Sequence, residues 1–327
     1  MILVTGAAGY IGSHFLRRYI AESPDNSLLA VDNLSTGHKE SLPKDPRVVF
    51  EHCDVGDYPR IKELLQKHQI EAVVHYAANC YVGESEKDPF KYFNNNLGQT
   101  GKLLEAMVDS GVKQIVFSST CATYGYPEIL PLTEAHRQAP INVYGQTKYM
   151  VEQMLYTLNR TVDLSFVALR YFNAAGADES LEIGESHDPE THLIPNVLKA
   201  LRGELACLEI FGDDYDTRDG TCIRDYVHVN DLASAHIAAL KLMKQGKQSM
   251  AINLGTGHGA SVKEIIQAAC EVAGKEAPVK VMPRRDGDPP LLVADFAKAR
   301  EVLGWTPEYG LRKIIESAWN WENNRRY

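Results

Sequence analysis

The first twenty residues, MILVTGAAGYIGSHFLRRYI, limit what this chain can fold into more than any other stretch. The apolar run in Ile2–Thr5 leads directly into Gly6, Gly9 and Gly12, spaced three apart. Such a run, ending in glycines and followed by a helical pattern, describes a strand, a tight turn and a helix. In that unit Gly6 permits the turn, Gly9 lets the backbone approach a pyrophosphate, and Gly12 lets the helix pack closely on the sheet. The helix begins near Tyr10 and Ile11 and aims its free N-terminal amides at the phosphates. A glycine triplet alone also fits a flexible turn. This one sits in the first strand–helix turn, and Asp32 follows at the end of the second apolar run, twenty positions after Gly12. A carboxylate there accepts hydrogen bonds from ribose hydroxyls and repels a 2′-phosphate, which favours NAD over NADP. Asn33 neighbours it in the same candidate cofactor set. After the third run, Asp54 is read as meeting the adenine amino group and Val55 as packing on its ring, while Asp57 suits a helix cap.

Further strands are expected at Leu28–Asp32, Val48–Cys53, Ala72–His75, Gln114–Ser118, Leu164–Arg170 and Met250–Leu254. Helical patterns lie between most of them, for example Ile61, Leu64, Leu65 and His68. Strands alternating with helices imply an α/β fold with a doubly wound parallel sheet. Beyond about Phe172 the texture changes to Gly-, Asp- and Pro-rich stretches such as FGDDYDTRDGTCIRDY and PRRDGDPPLL. The chain is therefore expected to divide into a nucleotide-binding domain, 1–172 plus about 226–257, and a smaller discontinuous substrate lobe, about 173–225 plus 258–327. There is no internal repeat and no low-complexity tract.

With 327 residues, 44% hydrophobic and 24% charged, the chain suits two lobes of a globular protein. No stretch reaches the roughly 18–20 apolar residues of a membrane span. The N-terminus lacks the basic n-region of a signal peptide, so a cytoplasmic location is expected. The net charge of −9 argues against nucleic acid as a partner. Cys53, Cys80, Cys121, Cys207, Cys222 and Cys270 form no Cys-x-x-Cys pair and are expected to be scattered buried thiols. His187 and His192 invite a metal reading, which is set aside because no further ligand cluster accompanies them.

The chemistry-bearing stretch is VYGQTKYM, where Tyr144 and Lys148 stand four apart on one expected helix face. An ammonium beside a phenol is expected to lower the phenol's pKa and make it usable as a base. Most Tyr-x-x-x-Lys pairs are only solvated helix faces. Here the pair is preceded by FSSTCATYG, whose Thr120 could hydrogen-bond the same substrate oxygen. Ser119 in that run is read as a strand-end cap.

Across nearly its whole length the chain resembles the extended short-chain dehydrogenase/reductases, and within them the UDP-galactose (UDP-glucose) 4-epimerases. The blocks GAAGYIGSH, VDNLSTGH, SSTCATYG, YGQTK, LRYFNAAGA, THLIPNV, IRDYVHVND and NLGTG are similar to that family's, in order. The resemblance implies an NAD-dependent isomerase acting on a UDP-sugar, in which Tyr144 removes the 4-hydroxyl proton, Thr120 polarises that oxygen and Lys148 holds the nicotinamide ribose. It implies that Tyr76, Ala77, Ala78 and Asn95 line the cofactor and that Tyr171 packs near the nicotinamide. Asn173, His192 and Leu193 would hold the substrate pyrophosphate region, Ile210 and Phe211 would enclose uracil, and Arg224 and Arg285 would clamp the diphosphate. Asp288 would accept from the uridine ribose, and Leu292 would border the sugar's 2-substituent. Guanidinium forks suit phosphates on chemical grounds too, although Arg224 could instead pair with neighbouring Asp225. The family is usually dimeric through two helices per subunit, which 90–110 and 145–160 would supply. The chain departs from the pattern at Cys80, where many members carry a Lys that meets the NAD phosphates, and at Thr120, where Ser is commoner. A 4,6-dehydratase or a UDP-uronic acid decarboxylase needs an acid beside the Thr. Cys121 and Ala122 stand there instead. A non-catalytic NAD-sensing regulator tends to lose the Tyr or Lys that this chain keeps.

Overall fold

The computed structural model describes residues 1–23, 25–246, 249–285 and 287–327. Its strands are β1 Ile2–Thr5, β2 Leu28–Asp32, β3 Val48–His52, β4 Ala72–His75, β5 Gln114–Thr120, β6 Ser165–Tyr171, β7 Asn173–Ala175, β8 Leu208–Phe211, β9 Ile223–His228, β10 Met250–Leu254, β11 Gly259–Ser261, β12 Val279–Met282 and β13 Leu291–Leu292. Its helices are α1 Tyr10–Glu22, α2 Tyr58–Lys67, α3 Val82–Lys87, α4 Pro89–Tyr92, α5 Thr100–Asp109, α6 Val143–Val162, α7 Leu193–Leu201, α8 Val229–Gln245, α9 Val262–Ala273 and α10 Leu311–Asn323. Among the described residues no helix is long and apolar enough to cross a membrane.

Seven strands form one sheet in the order β3-β2-β1-β4-β5-β6-β10, and every pairing in it is parallel. The period-2 alternation of side chains builds its two cores. Ile2, Val4, Val74, Val116 and Leu169 face α1 and α8, whose Phe15, Leu16, Leu232 and Leu240 complete that side. Leu3, Val73, Ile115, Phe117 and Phe166 face α2, α5 and α6, with Ile61, Leu64, Leu103 and Val151. The expected doubly wound sheet is therefore present, with small shifts at strand ends. β5 runs two residues further than expected, because Ser119 pairs with Arg170 and Thr120 with Tyr171 in register.

The later chain builds smaller sheets: β9 pairs with β7, β11 and β13, and β8 pairs with β12. A third core gathers Val197, Leu198, Leu208, Ile265 and Ile314 from α7, β8, α9 and α10.

One ion pair lies in the middle of the larger layer. Arg170 of β6 donates from Nε to Glu152 Oε1 at 3.0 Å and from Nη2 to Oε2 at 2.5 Å. The side chains are 4% and 0% exposed. Ser119 Oγ and Gln138 Nε2 donate to the same carboxylate, at 2.5 and 3.0 Å. Ser119 is therefore not the expected strand-end cap; its place inside β5 turns its hydroxyl onto α6. Removing one partner of such a pair leaves an uncompensated buried charge. Arg170→Met should lower the free energy of unfolding by about 3–5 kcal/mol in equilibrium urea denaturation; a loss within about 0.5 kcal/mol, the range of an ordinary surface substitution, would refute this account of the pair.

Candidate active site

The strand order reverses between β1 and β4, and open α/β sheets bind ligands outside the C-terminal ends of the strands at such a point. A cleft of about 1670 Å³ opens there. It is larger than the roughly 300–1,000 Å³ that suits a single drug-sized ligand.

Its floor is the glycine turn. Gly6 has φ +64°, and a Cβ on it would lie 2.6 Å from the Ala77 nitrogen. A Cβ on Gly12 would lie 2.2 Å from the Gly6 carbonyl oxygen. The constraint on Gly12 therefore comes from the turn's own backbone, not from the sheet as expected. Gly9 is the N-cap of α1 and provides no capping side chain, so the head of the helix faces the cleft bare. Asp32 ends β2 at the cleft wall. Its two oxygens accept from Ala8 N at 2.9 Å and Leu34 N at 2.7 Å. Burial raises its pKa, while these amides and His52 oppose the rise.

The opposite wall is the head of α6. The Asn142 side chain accepts from Gly145 N at 2.7 Å, Ser85 Oγ from Tyr144 N at 3.1 Å, and Glu86 from Val143 N at 2.7 Å. Three of the helix's orphan amides are thereby satisfied, and its first turn is fixed. Buried Asn96 adds a tie, donating to Asn79 O at 2.9 Å and to Thr147 Oγ1 at 3.2 Å. Tyr144 and Lys148 then project from one face into the cleft, beside Thr120 from β5.

The electrostatics differ from the sequence expectation. Burial, with Tyr171 and Cys80, raises the Tyr144 phenol well above its usual value, and a hydrogen bond with Thr120 opposes this. Burial lowers Lys148 to about 8. Its Nζ donates to the Ser118 carbonyl at 2.8 Å and lies 5.0 Å from the Phe117 ring centroid. Desolvation, which penalises both charges, therefore outweighs the lowering expected from Lys148. The Thr120 hydroxyl oxygen also accepts from Ala122 N at 3.1 Å. Ser118 and Tyr171 share a hydrogen bond between their hydroxyls.

Gly6, Gly9, Tyr10, Ile11, Gly12, Asp32, Asn33, Val55, Tyr76, Ala77, Ala78, Asn95, Tyr171, Asn173, His192, Leu193, Phe211, Arg224, Arg285, Asp288 and Leu292 all line this cleft, as do the catalytic candidates. Asp54 and Ile210 do not. Asp54 is occupied locally, accepting from Gly56 N at 2.7 Å and Asn33 Nδ2 at 3.0 Å. Ile210 points into the core, because alternation along β8 turns Glu209 and Phe211 outward. Asp57 caps α2, accepting from Arg60 N at 3.2 Å. Arg224 pairs with Asp288 rather than with Asp225. The Asp225 carboxylate is taken up by Thr256, Gly257 and Ala294. The Arg285 guanidinium stacks 3.8 Å from the Phe211 ring centroid. Cys80 is exposed at the cleft rather than buried, and Cys207 and Cys270 are half-buried.

The ground for setting a metal aside also fails. Glu185 and Glu190 join His187 and His192, with one donor atom from each within 4.8 Å of the others. The sequence carries the signal as Glu-x-His-x-x-Glu-x-His over 185–192.

A family model described as "NAD dependent epimerase/dehydratase family" matches residues 2–255. The chain is 49% identical over 324 residues to a UDP-glucose 4-epimerase of Lacticaseibacillus casei, covering 99% of this chain and 97% of that one. It superposes on the crystal structure of UDP-glucose 4-epimerase from Brucella ovis in complex with NAD with a TM-score of 0.93, at 47% identity and 97% coverage of both chains. The UDP-Glc/GlcNAc 4-epimerase of Campylobacter jejuni matches with a TM-score of 0.86, at 41% identity and 98% coverage of both chains. With the glycine turn, Asp32 and the Tyr144–Lys148–Thr120 group gathered at one cleft, these likenesses place the chain in the NAD-dependent epimerase/dehydratase family, among its UDP-glucose 4-epimerases.

Proposed function

We propose that this chain is an isomerase that interconverts UDP-glucose and UDP-galactose at C4, with NAD as its cofactor. The observation that carries the reading is the convergence of Tyr144, Lys148 and Thr120 on the cleft that the glycine turn and Asp32 also line. The turn fits a dinucleotide: a Cβ at Gly6 or Gly12 would collide with backbone of Ala77 or of the turn itself, so glycine keeps the turn tight, and the bare head of α1 presents amides to an anion. Asp32 keeps a carboxylate at the position where a 2′-phosphate would be repelled. A dehydratase or decarboxylase is disfavoured, because Cys121 and Ala122 follow Thr120 and burial pushes the Cys121 thiol up to about 12.

The residues divide the work as follows. NAD, when bound, supplies the acceptor and donor of hydride at C4. Tyr144 takes the proton of the 4-hydroxyl and later returns it. Thr120 orients that oxygen from the end of β5. Lys148 brings a positive charge to the base, and burial leaves its charge sensitive to pH near neutrality. Arg224 and Arg285 hold the diphosphate, with Asp288, Asn173, His192, Leu193 and Phe211 around the nucleotide, so that the 4-keto sugar can turn its other face without leaving. Asp288 gives up part of its pairing with Arg224 when it accepts from the ribose. The division into 1–172 plus about 226–257 and about 173–225 plus 258–327 fits this arrangement, with the second lobe closing on the sugar nucleotide. A homodimer through 90–110 and 145–160 agrees with the exposed Phe90, Met150 and Tyr156 on or beside those segments. A cytoplasmic location is part of this reading.

The reading is tested by following UDP-glucose formed from UDP-galactose without added NAD, which neither a dehydratase nor an NAD sensor would produce. Denatured wild-type protein should release NAD or NADH; NADP in the extract would overturn the role of Asp32. Tyr144→Phe should retain UDP binding and lose about 10²–10⁴ in kcat, the usual worth of general acid–base help. Near-normal turnover would remove Tyr144 from the mechanism.

Leu292 of β13 lies in register with Arg224 and packs on the cluster of Cys121, Tyr124 and Phe172 while lining the cleft. A flexible leucine leaves space beside C2 of the sugar, so UDP-N-acetylglucosamine is accepted as well. Overpacking costs about 1–3 kcal/mol. Leu292→Tyr should therefore depress kcat/KM on the acetylated pair by about 10- to 100-fold and spare the plain hexoses. An equal effect on both substrates would show that Leu292 does not border the 2-substituent.

A further inference from the structure

The cluster Glu185, His187, Glu190 and His192, at the mouth of the same cleft, has no part in the proton transfer proposed above. We propose that these four side chains form a binding site for one zinc-like divalent cation, which ties the 185–192 segment to the cofactor side of the cleft. Four distances carry the argument. His187 Nδ1 lies 3.3 Å from Glu185 Oε1 and 3.7 Å from Glu190 Oε2. His192 Nδ1 lies 3.4 Å from Glu190 Oε1 and 2.5 Å from Glu185 Oε1. Zinc bonds of about 2.0–2.2 Å to nitrogen and oxygen set tetrahedral donors about 3.3–3.6 Å apart. The contacts of Glu185 Oε1 with His187 and of Glu190 Oε1 with His192, at 3.3 and 3.4 Å, match that spacing, and one donor atom from each residue lies within 4.8 Å of the others. His192 Nδ1 and Glu185 Oε1, at 2.5 Å, must move apart to share an ion.

A second observation points to a ligand. The Glu190 side chain is 1% exposed, yet its Oε2 has no hydrogen-bond partner among the described residues. The buried Nδ1 of His187 likewise has none there. Both atoms are turned into the cluster. The two atoms face each other at 3.7 Å, an ion-pair distance too long for a hydrogen bond, so an ion between them would satisfy both.

The donor chemistry selects the ion. Two imidazole nitrogens with two carboxylate oxygens suit zinc or a neighbouring first-row dication, whereas calcium and magnesium take all-oxygen sets. The rings of Tyr10, at the head of α1, and Tyr81 pack against His187 with centroids 6.4 and 5.7 Å away. An ion here would fix the segment against the glycine turn.

The test is a cobalt titration of the EDTA-stripped, NAD-loaded protein at pH 8, because four-coordinate Co²⁺ absorbs visibly and zinc does not. One Co²⁺ per chain should produce the tetrahedral absorption, and Zn²⁺ should bleach it and raise the thermal midpoint. His187→Ala and Glu190→Gln should each weaken cobalt binding at least tenfold, with far-UV circular dichroism unchanged. The proposal fails if the wild type gives no tetrahedral cobalt signal. It also fails if both folded variants bind cobalt as the wild type does. Should a variant not fold, the wild-type stoichiometry and zinc displacement decide the matter.

Discussion

The active cleft depends on the buried pair of Glu152 and Arg170. Tyr144, Lys148 and Glu152 are spaced four apart on α6 and so form one stripe of the helix. The first two face the cleft, and the third is held by Arg170 of β6 and Ser119 of β5. Arg170 continues the network through its Nη1 to Tyr124 at 3.0 Å, and Tyr124 donates to Asn253 at 2.6 Å. The helix carrying Tyr144, the proposed base, is thereby locked to the strands that carry Thr120 and Tyr171. An apolar contact could hold the layers together as tightly. A bidentate ion pair also fixes the rotation and slide of the helix, and a proton-transfer site needs both.

The same burial that makes this pair rigid sets the charges in the cleft. Tyr144 and Lys148 are both pushed toward their neutral forms. His75, beneath the turn after β4, is lowered to about 3 by burial and by Lys148, and contacts Thr5 and Thr100 at 2.6 and 2.9 Å. The Glu–His cluster concentrates charge at the same cleft, where carboxylates and imidazoles offset one another.

Several features were legible in the sequence because they are local. The alternation of apolar residues in Ile2–Thr5, Leu28–Asp32 and Ala72–His75 gave the strands and the two-sided core. Gly6, Gly12 and Asp32 marked the turn and the end of β2 by spacing alone. Tyr144 and Lys148 shared a face because a helix puts residues four apart together. Asp54 and Ile210 lie outside the cleft lining for an equally local reason: a turn closing on its own carboxylate, and the phase of alternation in a four-residue strand.

What the sequence by itself determined was the α/β architecture, the glycine turn after β1 and the placing of Tyr144 and Lys148 on one helix face. Each follows from neighbours within a helical turn or a strand period. The tertiary structure alone decided which charges meet. Arg224 found Asp288, 64 residues away, instead of adjacent Asp225. Ser119 turned from a presumed cap to the buried Glu152, 33 residues away. Glu185 and Glu190 folded back onto two histidines that had stood without company. Backbone periodicity is written residue by residue, whereas the desolvation and Coulomb energies that select charge partners depend on which surfaces the packed layers bury together.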